Sequence, residues 1–179
     1  MKGLILRGKR VKLRPIRLAD APDFVRWFGD KKVAVYLLRQ TPMSLQKERA
    51  WIKKMLRAKD KIIWSIFNED NKLIGNTGLT IDAKNKAASF GIVIGEKDQW
   101  GKGYASECLK LIENFVFKKL KYNRLELEVC MKNKRAVRVY EKAGFLLEGV
   151  KRQKFKNSIT KKFEDAGIMS ILKKEWKDN

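Results

Sequence analysis

Histidine is absent from this chain of 179 residues. That removes the imidazole bases that activate most serine and cysteine nucleophiles, and with them most zinc and copper sites. Cysteine is scarce. Cys108 and Cys130 stand far apart, in apolar stretches and in no metal-ligand spacing, so they read as reduced core residues. No apolar run is long enough to cross a bilayer, and the apolar part of MKGLILRGKR is too short for a signal peptide. The expectation is a cytoplasmic protein with no membrane contact and no metal. Acidic residues are in deficit, 20 Asp+Glu against 42 Lys+Arg, for a formal charge of +22. Such a balance favours polyanionic neighbours (RNA, ribosomes, phosphate-bearing cofactors) and opposes long-range attraction of a free polycation. The lysines are spread over most segments, so much of this charge reads as a solvated face. A chain of this length reads as one domain, residues 1–179, whose core needs no disulfides.

What is present is organised around GIVIGEKDQWGKGYASECLKLIENFVFKKL, Gly91–Leu120. An apolar, strand-like run breaks at Gly95, passes through Trp100-Gly101-Lys102-Gly103-Tyr104-Ala105, and enters a long amphipathic helix. In that helix Leu109, Ile112, Val116 and Leu120 recur on one face. A glycine-punctuated turn at a helix N-terminus is an anion site: the first amides lack carbonyl partners, the helix dipole is positive there, and glycine lets the backbone approach a phosphate. Lys102 adds a full charge. The same glycines could equally make only a tight turn.

Before this stretch, Val11–Pro15 reads as a strand, Asp20 as the N-cap of a helix through Phe24, Val25, Trp27 and Phe28 that exits at Gly29, and Asp30–Leu38 as a short helical piece before Pro42. Ser44 caps a further helix, with Leu45, Trp51, Ile52, Met55 and Leu56 on one side. Ile62–Phe67, Leu73–Ile81 and Ala87–Ile94 form an antiparallel meander across Asn68–Asn71 and Ala83–Lys86, with Gly75 and Gly78 marking bulges or close approach. In Arg124–Met131, Leu125, Leu127 and Val129 face one way and Glu126, Glu128 and Cys130 the other. Asn133 caps a helix over Lys134–Ala143 that Gly144 terminates, and Phe145–Phe155 with Phe163–Leu172 closes as a hairpin across Asn157-Ser158. The order predicts a mixed α/β domain with a ligand site between Ala87–Ile94 and Arg124–Met131, where neighbouring strands diverge.

The segments WGKGYASECL, NKRAVRVYEKAGFLLEG and EDAGIMSIL, with LRPIRLAD near the start, resemble the GNAT N-acetyltransferase superfamily, specifically its RimJ/RimL-like branch. The resemblance implies a mixed, mostly antiparallel twisted sheet of about seven strands, flanked by helices and splayed between the fourth and fifth. It implies acetyl-CoA as acyl donor, its diphosphate held by the amides of Gly101, Lys102, Gly103, Tyr104, Ala105 and Ser106, with Trp100 standing where the family motif opens on Gln or Arg. Ile92, Val93 and Ile94 resemble the edge that pairs with the pantetheine arm, and Asn133 matches a cofactor-contacting Asn while also suiting a helix cap.

The implied chemistry is acyl transfer from a thioester to a neutral amine, with a backbone N–H near Ile94 facing the developing oxyanion. Tyr140 matches the family tyrosine that protonates the departing thiolate. A phenol near ~10 giving a proton to a thiolate near ~8.5 is uphill by about 2 kcal/mol, so Tyr140 either supplies that proton or positions the sulfur. Glu128, five residues before Asn133, is the candidate base, with Glu126 and Glu96 also weighed; Ser89 occupies a position where relatives often carry Glu. The expected acceptor is a protein N-terminal amine, of ribosomal type, with a polyamine or small-molecule amine as the alternative. A non-catalytic RNA- or ribosome-binding module on the same fold is the reading from another class, and either a monomer or a homodimer is compatible.

Overall fold

Alternation of apolar side chains is followed by one twisted sheet in the computed structural model, which describes residues 4–38 and 44–177. Its eight strands are β1 (Leu6–Arg7), β2 (Lys12–Pro15), β3 (Lys61–Phe67), β4 (Leu73–Asp82), β5 (Ala87–Ile94), β6 (Arg124–Cys130), β7 (Leu146–Lys156) and β8 (Phe163–Leu172), in the order β1-β2-β3-β4-β5-β6-β8-β7. Every neighbouring pair is antiparallel except β5 and β6, which run parallel because a helix carries the chain between them.

Period-two alternation sends the strands' side chains to two cores. Ile62, Trp64 and Ile66 join Leu109 and Ile112 of α4 (Tyr104–Asn114), Val116 just beyond it and Tyr140 of α5 (Lys134–Lys142) on one face. Ile63, Leu73 and Val93 meet Phe24, Trp27 and Phe28 of α1 (Ala21–Gly29), Val33 of α2 (Lys31–Ala34) and Ile52 of α3 (Leu45–Arg57) on the other.

Several sequence expectations are corrected. Among the described residues the expected sheet of about seven strands has eight: Leu6–Arg7 folds back on Lys12–Leu13 through a turn in which Gly8 donates to Val11, too short a pairing to carry a pattern. Asp20 precedes α1 but its carboxylate does not cap it. It accepts instead from Arg17 N at 2.8 Å, Ser65 Oγ at 2.6 Å and Arg14 Nη2 at 2.7 Å, tying β2 and β3 to the helix start. In α3 only Ile52 and Met55 of the expected stripe are buried and Trp51 is half-buried; Leu45 and Leu56 are exposed. The central helix is α only to Asn114 and then widens into a π-turn over Phe115–Lys119. Phe115, Val116 and Phe117 of this turn are all buried. Ser44 and Asn133 do cap, accepting from Lys47 N at 3.3 Å and Ala136 N at 3.2 Å, and Gly144 ends α5 at φ 92°. The expected boundary at Pro42 lies outside the described residues.

Glu113, near the end of α4, is buried, and its Oε1 has no hydrogen-bond partner. Burial pushes this carboxyl up to about 7 from the ordinary 4.5, against a hydrogen bond from Trp176 and the charge of Lys110. The folded chain therefore keeps a proton that the unfolded chain releases, so this contribution is fully present below the unfolded value and is lost as pH rises through the folded one. Glu113→Gln is expected to stabilise the protein by about 2 kcal/mol at about pH 8 and to be near neutral at about pH 5 in denaturant unfolding.

Candidate active site

The site begins where the parallel pair ends. β5 and β6 are in register only from Ala87 opposite Arg124 to Phe90 opposite Leu127; beyond this, Gly91–Ile94 and Glu128–Cys130 separate. β5 stays paired with β4 along its other edge, to Gly75 opposite Ile94. Gly91 O accepts from Thr77 Oγ1 at 2.9 Å and Val93 O lies over Gly75, so both carbonyls turn toward β4. Backbone alternation then turns the amide and carbonyl groups of Ile92 and Ile94 into the gap. The Ile94 carbonyl is taken by the Trp100 indole N–H at 2.8 Å, which leaves Ile92 and the Ile94 amide as the open edge. Of the three expected edge residues, Val93 thus contributes its main chain to the opposite side.

The loop above the gap is built as an anion cradle. Gly101 and Gly103 sit at φ 78° and 88°, where glycine is free of the steric cost other residues bear, and Gly103 is the N-cap of α4. No protein group among the described residues accepts from the amides of Gly101, Lys102, Gly103, Tyr104, Ala105 or Ser106. A Cβ at Gly101 would meet nothing within 4 Å, so the approach is open. Lys102 departs from expectation: its side chain is not part of the cavity lining, and its carbonyl accepts from Arg10 Nη1 at 3.0 Å. Six unsatisfied amides at a helix start fit a diphosphate, and an open strand edge below them fits an amide-bearing arm; together these suit coenzyme A.

Both features open into one cavity of about 850 Å³ that passes through the split sheet. On the α4/α5 side it is lined by Tyr140, Asn133, Arg135, Arg138 and Lys142; on the other, by Phe28, Val33, Tyr36, Leu37, Trp51 and Ile63. Tyr140 is packed edge-on against Phe90 at 6.4 Å and beside Phe145 at 6.0 Å, and burial alone pushes its phenol upward. Among the described residues Glu128 is the lining's single carboxylate, and Lys151 is ion-paired with it. Glu126 shares that face of β6 but is not part of the lining, and is held by Ser89 Oγ at 3.0 Å and Arg124 Nε at 2.8 Å. Burial disfavours charge on Glu96, yet Arg26 and the Trp27 indole hold its carboxyl below the ordinary range, so it is spent on anchoring α1.

Sequence reading missed the aromatic wall from α1–α3, because residues of core type in a helix carry no mark of facing a cavity. It also missed Arg135, which stacks over the Trp100 ring at 4.8 Å and so bridges α5 to the cradle. Its i, i+3 and i+7 relation to Arg138 and Lys142 was the available signal. Cys108 and Cys130 are both buried and free; Cys130 also borders the cavity. Among the described residues no helix is long and apolar enough to cross a membrane, and no group of acidic or cysteine residues could hold a metal.

Comparison with known proteins agrees with this geometry. Residues 10–146 match the family model described as an acetyltransferase (GNAT) domain. The uncharacterized N-acetyltransferase p20 of Bacillus licheniformis is 28% identical over 178 residues, covering 96% of this chain and 97% of its own. The spermidine N(1)-acetyltransferase of Vibrio cholerae is 30% identical over 98 residues, 55% of each chain. The crystal structure of the V. cholerae spermidine N-acetyltransferase with CoA and spermine superposes with a TM-score of 0.85 at 22% identity, over 94% of this chain and 98% of that one.

Proposed function

On the premise that the chain belongs to the GNAT acetyltransferase family, acyltransferases that draw on acetyl-CoA, we propose that its acceptor is the α-amine of a peptide or protein N-terminus with an apolar first residue. Acetyl-CoA supplies the acetyl group as a thioester, and the acceptor nitrogen must arrive unprotonated. The observation that carries the reading is the acid–base poverty of the cavity. Its one carboxylate among the described residues, Glu128, is already paired with Lys151, and there is no histidine. An α-amine near ~7.7–8.0 is partly neutral without help, whereas an alkyl ammonium near ~10.4 costs about 3 kcal/mol more to deprotonate. Phe28, Val33, Tyr36 and Trp51 offer apolar surface for a first side chain. The formal charge of +22 suits acceptors still associated with RNA, as ribosomal proteins are.

Within this reading the Gly101–Ser106 amides hold the diphosphate, Ile92 and Ile94 the pantetheine arm, and the Ile94 amide faces the developing oxyanion. Tyr140 serves as a neutral hydroxyl donor to the leaving sulfur. Burial raises its pKa and so makes full proton transfer more uphill than for the ordinary phenol, while hydrogen bonding costs nothing of the kind. Tyr140→Phe is expected to lower kcat about 10-fold with the coenzyme A dissociation constant unchanged; wild-type kcat would remove Tyr140 from the chemistry.

The second reading, a polyamine acceptor, is favoured by the names of the V. cholerae relatives. Lys32, Arg135, Arg138 and Lys142 in the lining oppose a polycation. Mass spectrometry of an amine panel with acetyl-CoA decides: kcat/KM for apolar N-terminal peptides is expected to exceed that for spermidine by at least about 10-fold. Preference for spermidine would overturn the proposal, and an inert protein that stays unstabilised by acetyl-CoA while binding RNA would favour a non-catalytic module.

A further inference from the structure

The phosphate loop does not hold its own shape. Arg10, in the turn between β1 and β2, reaches it from behind the cavity. Its Nη1 donates to Lys102 O at 3.0 Å, its guanidinium lies over the Tyr104 ring at 5.2 Å, and its Nη2 is 3.2 Å from where a Cβ on Gly103 would stand. Arg10 is not part of the cavity lining. Its own position is fixed by Glu107 of α4, which accepts from Arg10 Nε at 3.2 Å, Arg10 N at 2.6 Å and Val11 N at 3.2 Å. Gly8 leaves room for this carboxylate, since a Cβ there would lie 2.6 Å from Glu107 Oε1.

The consequence follows from the planarity of the peptide. Lys102 C=O and Gly103 N–H belong to one trans unit and point in opposite directions. A carbonyl drawn backward by Arg10 aims the Gly103 amide forward, into the cavity that Gly103 lines. Gly103, which flanks this unit at a left-handed φ, has no Cβ to resist its turning.

We propose that Arg10 is a positioning residue for the coenzyme A diphosphate: by holding the Lys102–Gly103 peptide from behind, it keeps the cradle's amides aimed at the phosphates before the ligand arrives. The proposal rests on coenzyme A binding at this loop, and its energetic content is preorganisation, since an unbraced loop must be ordered at the expense of affinity.

Arg10→Met is the variant of choice, because it keeps an apolar stem over Tyr104 while removing every donor. By calorimetry its coenzyme A dissociation constant is expected to rise about 10-fold, with kcat at saturating acetyl-CoA within about twofold of wild type. Conformational exchange at the Gly101–Tyr104 amides of the free protein, read by NMR relaxation dispersion, is expected to increase in the variant. Arg10→Lys, whose single ammonium cannot serve Lys102 O and Glu107 in the same geometry, is expected to fall between the two, and it carries the test if Arg10→Met fails to fold. A folded variant with wild-type affinity and exchange overturns the brace alone; a wild-type protein that does not bind coenzyme A overturns the reading beneath it.

Discussion

Gly103→Glu is expected to weaken coenzyme A binding by more than about 100-fold, a loss of about 2.7 kcal/mol. Two effects add. At φ 88° a residue with a Cβ is strained, by an amount on the order of 1–2 kcal/mol. More important, the new Cβ would stand 3.2 Å from Arg10 Nη2, so the carboxylate is caught by that guanidinium and lodged beside the six open amides. There it competes with the diphosphate for the same helix N-terminus and repels it. Gly103→Ala carries the strain without the charge and separates the terms, with an expected loss of only about 10-fold in the same titration. Unchanged affinity in Gly103→Glu would mean that the phosphates lie elsewhere.

The largest expected loss of stability comes from a smaller substitution. Gly75→Ala would set a Cβ 2.1 Å from Val93 O and 3.1 Å from Ile94 Cα, both main-chain atoms of the neighbouring strand. No rotamer change relieves a clash with backbone; β4 and β5 must move apart. The cost is expected to be about 3 kcal/mol, which for a chain of this size lowers Tm by roughly 6–12 °C in calorimetry. The same displacement moves Ile92 and Ile94, so coenzyme A affinity should fall together with Tm. A variant with wild-type Tm would show that Gly75 is there for turn geometry and not for close approach. The register shift between Ile66 and Phe67, opposite this glycine, is where the sheet already accommodates the tight contact.

Local features were legible in the chain itself. The glycine pair, the N-caps at Ser44 and Asn133, the αL glycine at 144 and the strand alternation of Arg124–Cys130 depend on residues within a turn or two of one another, and each stands where the pattern puts it. The matched family model extends this to the fold, because ordered motifs over residues 10–146 span β2 to β6 and the helices between them. Cap chemistry was less legible at Asp20. An acidic residue before a helix has the composition of a cap, but Arg14 and Ser65 outbid the local amides, and Ser65 lies 45 residues away. The exposure of Leu45 and Leu56 is of the same kind, since periodicity marks a stripe without saying how wide its partner is.

What the sequence determined by itself is the glycine turn and helix start that form the cradle, because both are properties of consecutive residues. What only the tertiary structure decided is how that cradle is aimed and what else the cavity offers. Arg10 meets Lys102 across 92 residues and Glu107 across 97, and Glu128 meets Lys151 across 23. Orientation of a peptide unit, and the freedom of a carboxylate to act as a base, depend on which charged group the fold brings alongside. No spacing within one segment encodes that.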